Sequence, residues 1–179
     1  GDIMPDISNK ELRFAVLATD DVLFTIKDNE LWVRLIKVDR PPHFVNMEGM
    51  PGGLIKPLET AEESAKRQIE TKARVSSAKV HVEQLYTFSR VDRDKRGRVV
   101  AVAYLGLVPW ENLSEEEQAN DEETWWTPVK KVKKLAYDHN EILEAALLRL
   151  RSRVRYTTLL SKLIQKEFTL TVLENAYET

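Results

Sequence analysis

One short amphipathic segment constrains the fold of this chain more than any other feature of the sequence. Between Glu59 and Arg74 its small apolar residues recur every four positions. They are Ala61, Ala65, Ile69 and Ala73. Thr60 followed by Glu63 gives the T-x-x-E capping-box pattern, which marks the start of a helix. The spacing therefore predicts a helix over about residues 59–74, with a narrow apolar face that packs closely on a sheet.

Segments rich in β-branched and aromatic residues stand on both sides of that helix and predict strands. Before it, Phe14–Ile26 and Leu31–Val38 are joined by the turn residues 27–30 and predict a hairpin. After it, Val80–Arg90 and Val99–Pro109 predict two more strands, joined by a highly charged loop. Strands that surround a helix in this way predict an α/β domain with a mixed sheet.

The rest of the chain adds a loop, an edge strand and closing helices. Asp39–Gly53 contains three of the seven prolines and three of the six glycines, so we expect a long functional loop there. Glu111–Glu123 is acidic and predicts turns, and Thr124–Val129 predicts an edge strand that Pro128 ends. Helical spacing of apolar residues predicts helices at His139–Tyr156, Thr157–Lys166 and Leu170–Tyr177.

Composition excludes several classes of function. The 27 Lys and Arg residues against 29 Asp and Glu give a net charge of −2, so binding to nucleic acid or to an acidic membrane would need a local basic patch. The chain has no cysteine and three scattered histidines, which excludes thiolate chemistry and disfavours a multi-histidine metal site. Since we find neither an apolar run of about 20 residues nor a signal peptide, we expect a cytoplasmic protein with no membrane attachment.

The predicted helix lies within a spaced motif, Gly53-x5-Glu59-x7-Arg67, preceded by the sequence Gly-Met-Pro-Gly. This segment resembles the Nudix box, G-x5-E-x7-R-E-U-x-E-E-x-G-U, where U is aliphatic. Five positions match, namely Gly53, Glu59, Arg67, Ile69 and Val75. The three remaining box carboxylates and the box glycine are replaced by Gln68, Thr71, Lys72 and Arg74. The chain is therefore similar to the Nudix superfamily, with a degenerate box.

The order of predicted elements over roughly residues 13–155 is also similar to that of the Nudix fold, an α/β/α sandwich with a mixed sheet. A more specific resemblance is to Nudix-related transcriptional regulators of the ADP-ribose-sensing type. The segments that carry it are 86–94, 96–100, 103–104, 135–139, 142–143, 167–170 and 177–178. In that family, a Nudix domain that binds a nucleotide sugar such as ADP-ribose precedes a winged-helix DNA-binding domain.

This second resemblance implies a domain organisation and a set of partners. Residues 4–155 would be the Nudix domain, with Gly1–Ile3 set aside as a cloning remnant, and residues 156–179 a helical linker or the start of a winged-helix-like segment. The winged helix would be truncated or absent, so DNA would be bound only through a domain that this chain does not complete. By analogy with these regulators, we expect a homodimer and a nucleotide-sugar or sugar-phosphate effector.

The altered box bears directly on catalysis. Active Nudix hydrolases hold Mg²⁺ on a helical stripe of Glu side chains, where the ion activates water and neutralises the diphosphate. Here Gln68, Thr71 and Lys72 offer no carboxylate, and Lys72 places a cation where a metal needs an anion. We therefore expect no metal site, no cofactor and no catalytic residue on this helix. The retained Glu59 and Arg67 are expected to form an ion pair that fixes the loop on the helix.

The resemblance also indicates which residues would bind the ligand. Gly52 and Gly53 stand at the ligand loop of the box, and Phe44 is a candidate for stacking on an adenine, or else a core residue. Tyr86 has the same two alternatives, and for Tyr86 the core is favoured. In this family the charged loop lies near the pocket, and guanidinium groups suit diphosphate oxygens, although such a loop is also typical of a solvated hairpin tip. Its arginines, expected at the surface and dispensable for folding, are Arg90, Arg93, Arg96 and Arg98.

Three functional hypotheses follow. The first is a catalytically silent sensor that binds an ADP-ribose-like nucleotide sugar or a sugar phosphate. The second is a Mg²⁺-dependent hydrolase of the ADP-ribose pyrophosphatase type, in which carboxylates outside the box helix, at Glu48, Glu59 or Glu115–Glu123, hold the metal. The third is a Nudix scaffold kept for dimerisation alone. The missing box carboxylates favour the first.

Overall fold

A computed structural model describes residues 15–156, with side chains described through residue 153. The strands are β1 (Val16–Lys27), β2 (Glu30–Arg40), β3 (Phe44–Gly49), β4 (Gly52–Leu54), β5 (His81–Phe88), β6 (Val99–Leu107) and β7 (Thr124–Pro128). The α-helices are α1 (Ala61–Thr71), α2 (Glu115–Gln118) and α3 (His139–Tyr156), and short 3-10 turns occur at Ser77–Lys79, Trp110–Asn112 and Val129–Lys131. The predicted long strands, the edge strand and the first two predicted helices are all present.

The strands form one mixed sheet. Its central order is β3-β2-β1-β6-β5, with β4 paired to β1 and β7 paired to β2. β1 and β6 run parallel, from Val16 opposite Val99 to Phe24 opposite Leu107, and the other pairs are antiparallel. The prediction of a mixed sheet is confirmed.

A helix packs on each face of the sheet. Successive residues of β1 point to opposite faces, so neighbours on this strand pack against different helices. Leu23 packs in a cluster with Ile69 of α1. Its neighbours Val22 and Phe24 pack in a second cluster with Ile142 of α3. The α/β/α sandwich that the Nudix resemblance implies is therefore confirmed.

The helix α1 is shorter than predicted. It begins after Thr60, whose side-chain oxygen accepts a hydrogen bond from the backbone N–H of Glu63 at 3.1 Å, as the capping pattern predicts. It ends at Thr71 rather than near residue 74. Arg74, which stands at the box glycine position, has a φ of 56°. This left-handed backbone conformation cannot continue a right-handed helix, so the chain turns away here.

The prediction of a long loop over Asp39–Gly53 is wrong in part, because this segment contains β3 and β4. Its prolines fall in the two short turns, at 41–42 before β3 and at Pro51 between β3 and β4. The intervening residues are left free to form ladder hydrogen bonds with β2, and Phe44 is buried. The high proline content predicted a loop, but the prolines lie on either side of β3 and not within it.

Two smaller predictions also need correction. The acidic segment Glu111–Glu123 was expected to form turns, but Ser114 and Glu117 form a reciprocal capping box that starts the short helix α2. Tyr86 was expected in the core and is 65% exposed. The pairing of β5 with β6 shifts between Gln84 and Tyr86, and at this irregularity Leu85 is buried while Tyr86 is exposed.

The C-terminal helix α3 has the predicted bounds, His139–Tyr156. The helices predicted at Thr157–Lys166 and Leu170–Tyr177, and with them the predicted second segment 156–179, lie outside the described residues apart from Tyr156. None of the helices in the described part of the chain has both the length and the apolar character needed to cross a membrane.

Candidate functional site

A cavity of about 320 Å³ opens where the most widely separated elements of the chain meet. Its walls come from β1, β2, β4, the residue that follows α1, the β5–β6 loop and the start of α3. Small-molecule sites in proteins have volumes of roughly 300–1,000 Å³, so the cavity lies at the lower end of that range. Four residues predicted to bind a ligand line it, namely Gly52, Gly53, Arg93 and Arg96.

The walls of the cavity carry an excess of positive charge. The cationic side chains that line it are Lys37, Arg40, Lys72, Arg93 and Arg96. The same wall contains two carboxylates, those of Asp20 and Asp94. An anionic ligand is therefore the electrostatic complement of this cavity.

Arg93 is a structural residue, contrary to the expectation that it is a removable surface arginine. Its side chain is 3% exposed and holds Asp138 through two hydrogen bonds, Nε to Oδ2 at 2.9 Å and Nη2 to Oδ1 at 2.7 Å. The same Nη2 lies 3.5 Å from Oδ2 of Asp20. The guanidinium is buried because the loop folds back over the start of α3, which the local charge pattern does not reveal.

Arg96 remains partly open to solvent at the rim of the cavity. It donates two hydrogen bonds to Asp94 from one edge of the guanidinium, Nε to Oδ1 at 3.1 Å and Nη2 to Oδ2 at 2.9 Å. Burial of Asp94 raises its pKa, but the side-chain and backbone hydrogen bonds from Arg96 outweigh this and leave the pKa of Asp94 below its ordinary value. The guanidinium carbon also lies 5.3 Å from the ring centre of Tyr137. Arg96 is thus held in place with one side toward the cavity.

The other two predicted arginines are not part of the cavity wall. Arg90 is exposed and forms ion pairs with Glu141 at 2.6 Å and Asp92 at 2.9 Å. Arg98 is also exposed and donates a hydrogen bond to the backbone oxygen of Arg90 at 3.3 Å. The charged loop therefore divides into two inward-facing and two outward-facing arginines.

Phe44, predicted as a stacking residue, lies behind the cavity wall. It is 6% exposed, and its ring centre is 4.3 Å from that of Tyr137. Tyr137 lines the cavity and has a φ of 54°, in the left-handed region that tyrosine seldom adopts. The aromatic ring that a ligand would meet is therefore Tyr137, with Phe44 supporting it from the core.

The Gly52–Gly53 strand approaches its neighbours so closely that a side chain does not fit. A Cβ added to Gly52 would overlap a carboxyl oxygen of Asp20 and lie 2.6 Å from the backbone oxygen of Thr19. A Cβ added to Gly53 would lie 2.7 Å from Nε2 of Gln68 and 3.1 Å from Nζ of Lys72. Real Cβ atoms essentially never come within 3.0 Å of another heavy atom in this way. Neither glycine has a positive φ angle, so close approach explains them. Gly52 is required because backbone lies against it, whereas the atoms near Gly53 are ends of side chains.

Lys72 is the box residue that faces this glycine strand. Its Nζ donates a hydrogen bond to the backbone oxygen of Gly52, and the side chain lines the cavity. Burial, followed by the nearby positive charge of Arg40, lowers the pKa of Lys72, while Asp20 opposes the shift.

The predicted pair of Glu59 and Arg67 is present. Arg67 Nε lies 3.0 Å from Oε2 of Glu59 and its Nη2 lies 2.6 Å from Oε1. The same Nη2 donates to the backbone oxygen of Leu54 at 3.1 Å. The Arg67 hydrogen bonds, with a backbone hydrogen bond from Lys56, lower the pKa of Glu59 to about 2. As predicted, the pair fixes the loop between β4 and α1 onto the helix.

A second polar group closes the inner wall of the cavity. His139, the first residue of α3, accepts a hydrogen bond at Nδ1 from the backbone N–H of Met50 at 2.9 Å. Because Nδ1 is an acceptor, the neutral ring carries its proton on Nε2, which lies 3.5 Å from Oδ1 of Asp20. This wall can therefore accept hydrogen bonds from ligand hydroxyl groups at the Asp20 carboxylate.

The residues at the box positions do not fit the Mg²⁺ that the Nudix resemblance implies. Thr71 donates its hydroxyl to the backbone oxygen of Arg67 at 2.9 Å, Gln68 is a buried amide, and Lys72 is a cation. Among residues 15–153, no group of three or more His, Asp or Glu side chains is arranged to hold a metal ion.

Three carboxylates of the hydrolase hypothesis, those of Glu48, Glu59 and Glu117, are held by other partners. Glu48 accepts a hydrogen bond from Nε1 of Trp125 at 3.0 Å. In the acidic segment, Glu117 binds the side chain of Lys79 and accepts a hydrogen bond from the backbone N–H of Ser76 at 2.7 Å. With Glu59 held by its arginine, the named carboxylates are engaged at separate places in the fold.

Several cavity residues were absent from the sequence prediction. Asp20 had a usable signal, because it is an acidic residue within an otherwise apolar predicted strand. Lys72 was noted only as a lost metal ligand. Arg40, Tyr137 and His139 gave no local signal, since they reach the cavity only through the pairing of β2 with β1 and the packing of α3.

Comparison with known proteins places these features in a family. The profile of the NUDIX domain matches residues 17–146. The chain is 30% identical over 167 residues to the ADPR responsive transcriptional repressor NtrR of Acinetobacter baylyi, covering 91% of this chain and 65% of that protein. It is 31% identical over 118 residues to an ADP-ribose pyrophosphatase of Methanocaldococcus jannaschii, covering 66% of each. The chain therefore spans about two thirds of the length of these curated relatives.

A solved structure agrees with this family assignment. The NUDIX domain of Shewanella oneidensis NrtR, crystallised with ADP ribose, superposes with a TM-score of 0.66 at 32% identity. The match covers 79% of this chain and 92% of that domain. The similarity therefore extends over most of this chain and nearly all of that domain.

Proposed function

The chain belongs to the NUDIX domain family, and from this premise we propose that it is the effector-binding part of a transcriptional regulator, which binds ADP-ribose or a similar nucleotide sugar without hydrolysing it. A relative named as an ADPR responsive repressor and a related domain crystallised with ADP ribose support the ligand class.

The observation that carries this proposal is the charge of the cavity. Of the five cationic side chains, Arg93 is paired with Asp138 and Arg96 with Asp94. The remaining three, Lys37, Arg40 and Lys72, have one carboxylate of the wall left to balance them, that of Asp20. A diphosphate carries the negative charge that such a cavity lacks, and guanidinium groups match its oxygens. The Asp20 side of the cavity offers an acceptor for the hydroxyl groups of a neighbouring ribose.

The same residues argue against hydrolysis. When bound, Mg²⁺ supplies Lewis-acid activation of water in Nudix hydrolases, but the donor set here contains an amide, an ammonium and a hydroxyl that is already used. Asp20 lies against Arg93 and the Nε2 side of His139. The described side chains of the cavity can therefore bind and orient a diphosphate, and none of them is arranged to activate water against it.

Assembly and DNA binding extend the proposal beyond the described residues. We propose a homodimer, by analogy with the regulators, and DNA binding through a winged-helix domain. A cytoplasmic location is part of the same proposal. The presence of a repressor among the relatives supports it, and light scattering over a wide concentration range tests the dimer.

Calorimetric titration with ADP-ribose tests the central proposal, first in EDTA and then in Mg²⁺, with chromatography of the mixtures for AMP and ribose 5-phosphate. We expect saturable binding in EDTA and intact ligand in both conditions. Mg²⁺-dependent cleavage that is lost in Glu59→Gln would establish the hydrolase hypothesis instead. Absence of binding by ADP-ribose and by other nucleotide sugars would favour a scaffold without an effector.

A further inference from the structure

We propose that Lys72 is a built-in counter-ion for the diphosphate, so that the cavity takes the ligand as the free anion and discriminates against its Mg²⁺ complex. This inference rests on the proposed function and deepens it. It assigns a specificity-determining role to the residue that most clearly breaks the Nudix box.

The first support is the position of the ammonium group. Lys72 directly follows α1, and its Nζ donates a hydrogen bond to the backbone oxygen of Gly52 while the side chain lines the cavity. Gly53 approaches so closely that a Cβ there would lie 3.1 Å from Nζ. The long, rotatable lysine side chain is therefore held at one place, against a strand that itself lines the cavity.

The second support is the absence of a carboxylate partner. Among the described residues, no carboxylate oxygen lies within 4.0 Å of the Lys72 Nζ, whereas Arg93 and Arg96 are paired with Asp138 and Asp94. An ammonium group has three N–H donors, and the hydrogen bond to Gly52 uses one. Lys72 is thus a partly buried cation with unused N–H donors, and it can bind an anionic ligand without first breaking an ion pair.

The third support is the charge around the ammonium. Arg40, Arg67 and Arg96 are close enough to lower the pKa of Lys72 electrostatically, and Asp20 is the carboxylate that opposes them. A magnesium ion carried in by the diphosphate would meet this positive field, and among the described residues no cluster of three or more His, Asp or Glu side chains is arranged to complete its coordination. A free diphosphate instead relieves the mutual repulsion of these cations.

The consequence is a reversed dependence on Mg²⁺. In a metal-dependent Nudix site, the ion bridges the protein and the diphosphate, and its addition tightens binding. Here Mg²⁺ would compete with the protein for the same phosphate oxygens. The apparent affinity for ADP-ribose should therefore fall as Mg²⁺ is added, in proportion to the fraction of ligand that the ion binds.

The experiment uses calorimetric titration of the full chain with ADP-ribose, in EDTA and in Mg²⁺. Lys72→Met removes the charge and keeps much of the side-chain length, Lys72→Arg keeps the charge, and Lys134→Met removes an exposed charge outside the cavity. In EDTA we expect binding to weaken by about ten- to a hundredfold in Lys72→Met, the effect of one charge-assisted hydrogen bond. Lys134→Met should bind like the unaltered chain, and Lys72→Arg should recover part of the loss.

Lys72→Glu provides the sharpest test because it should change the sign of the metal effect. The unaltered chain should bind ADP-ribose more weakly in Mg²⁺ than in EDTA, and Lys72→Glu should bind it more weakly in EDTA than in Mg²⁺. Thermal unfolding of each variant checks that it is folded. The inference is overturned if folded Lys72→Met binds ADP-ribose within about twofold of the unaltered chain in EDTA, because the loss of a charge-assisted hydrogen bond would weaken binding by more than that. It is also overturned if Mg²⁺ tightens binding by the unaltered chain.

Inorganic pyrophosphate separates failure of this inference from failure of the proposed function. If ADP-ribose does not bind, the proposed ligand is wrong, and pyrophosphate then reports on the counter-ion alone. Binding of pyrophosphate that is lost in Lys72→Met supports the role of Lys72 for another diphosphate ligand. Failure of both ligands to bind, or pyrophosphate binding that does not depend on Lys72, overturns it.

Discussion

Arg93 and Asp138, 45 residues apart in the chain, form a buried two-bonded ion pair that joins the β5–β6 loop to the start of α3. Both side chains are almost fully excluded from solvent, at 3% and 1% exposure. His139 follows directly and lines the cavity together with Arg93. The pair therefore fixes the shape of the cavity wall as well as the direction in which α3 leaves the sheet.

The first prediction concerns this ion pair. Removing one member of a buried pair leaves an unpaired buried charge, and such changes cost about 3–5 kcal/mol. We expect Arg93→Ala to lower the free energy of unfolding by that amount in urea titrations. Arg98→Ala, an exposed arginine of the same loop, should change it by less than about 0.5 kcal/mol. Equal stability of the two variants would show that the buried pair contributes little to the fold.

The second prediction follows from the pair formed by Glu59 and Arg67. The pKa of Glu59 is about 2 in the folded protein, against about 4.3 in an unfolded chain. A lowered pKa means that the pair stabilises the fold above the unfolded value, and that this stabilisation is lost as the pH falls toward the folded value. Glu59→Gln should therefore be less stable than the unaltered chain near neutral pH, and the difference should vanish as the pH approaches about 2.

A matched control for this prediction lies on α1, the helix that carries Arg67. Glu62 forms an exposed pair with Lys66 at 3.8 Å, and exposed pairs of this kind contribute little. Glu62→Gln should show a small difference from the unaltered chain across the whole pH range. A pH-independent loss of stability in Glu59→Gln would mean that packing, rather than the charge, supports the loop.

The helix and long strands could be predicted because their evidence is local. Ile69 and its small neighbours repeat with the helical period, and the segments on either side have strand composition over eight or more residues. The Glu59–Arg67 pair was also predictable, since both residues lie at box spacing on one short loop and helix. In each case the residues that reveal the structure are close in sequence.

The features that escaped prediction depend on contacts between distant segments. Arg93 looks like its neighbours in a charged loop, and only the arrival of α3 buries it against Asp138. Tyr86 is exposed next to a register shift between β5 and β6, and such a shift depends on the partner strand as well as on its own. The cavity needs Arg40 and Tyr137 together, and these are brought together by the sheet and by α3. Sequence spacing alone cannot supply such distances.

The third prediction concerns Asp21, the neighbour of the cavity residue Asp20 on β1. Its side chain is fully buried, and neither carboxyl oxygen has a hydrogen-bond partner in the described structure. Burial, and then the charge of Asp20, raise its pKa well above the ordinary value. The folded state therefore keeps the proton while the unfolded chain loses it near pH 4, so Asp21 destabilises the fold increasingly as the pH rises above about 4.

Asp21→Asn removes this titration. We expect the variant to gain stability relative to the unaltered chain as the pH is raised from about 4 to about 8, by about 1.4 kcal/mol for each unit of pKa shift removed. Urea unfolding at the two pH values measures the difference. Asp39→Asn, at an exposed position, should show no such gain. A stability difference that stays constant with pH would show that Asp21 is ionised in the folded protein.

The fourth prediction concerns Gly52, which pairs with Asp20 on β1. A methyl group here would overlap the Asp20 carboxyl and lie 2.6 Å from the backbone oxygen of Thr19. Backbone atoms within a paired strand cannot move aside without disturbing the ladder. We expect Gly52→Ala to destabilise the protein by about 1–3 kcal/mol, the usual cost of overpacking. Thermal and urea unfolding measure this loss, and a variant of unchanged stability would contradict the close approach.

The last prediction uses Gly53 to separate packing from ligand binding. A methyl group at Gly53 meets Nε2 of Gln68 and Nζ of Lys72, which are the ends of flexible side chains and can move aside. Gly53→Ala should therefore change stability by less than about 1 kcal/mol, unlike Gly52→Ala. It should nevertheless displace the ammonium and weaken ADP-ribose binding in EDTA by about tenfold, as expected for a weakened charge-assisted bond. Titration and urea unfolding of the same samples measure both effects. Native affinity in folded Gly53→Ala would show that the exact placement of the Lys72 ammonium does not matter for binding.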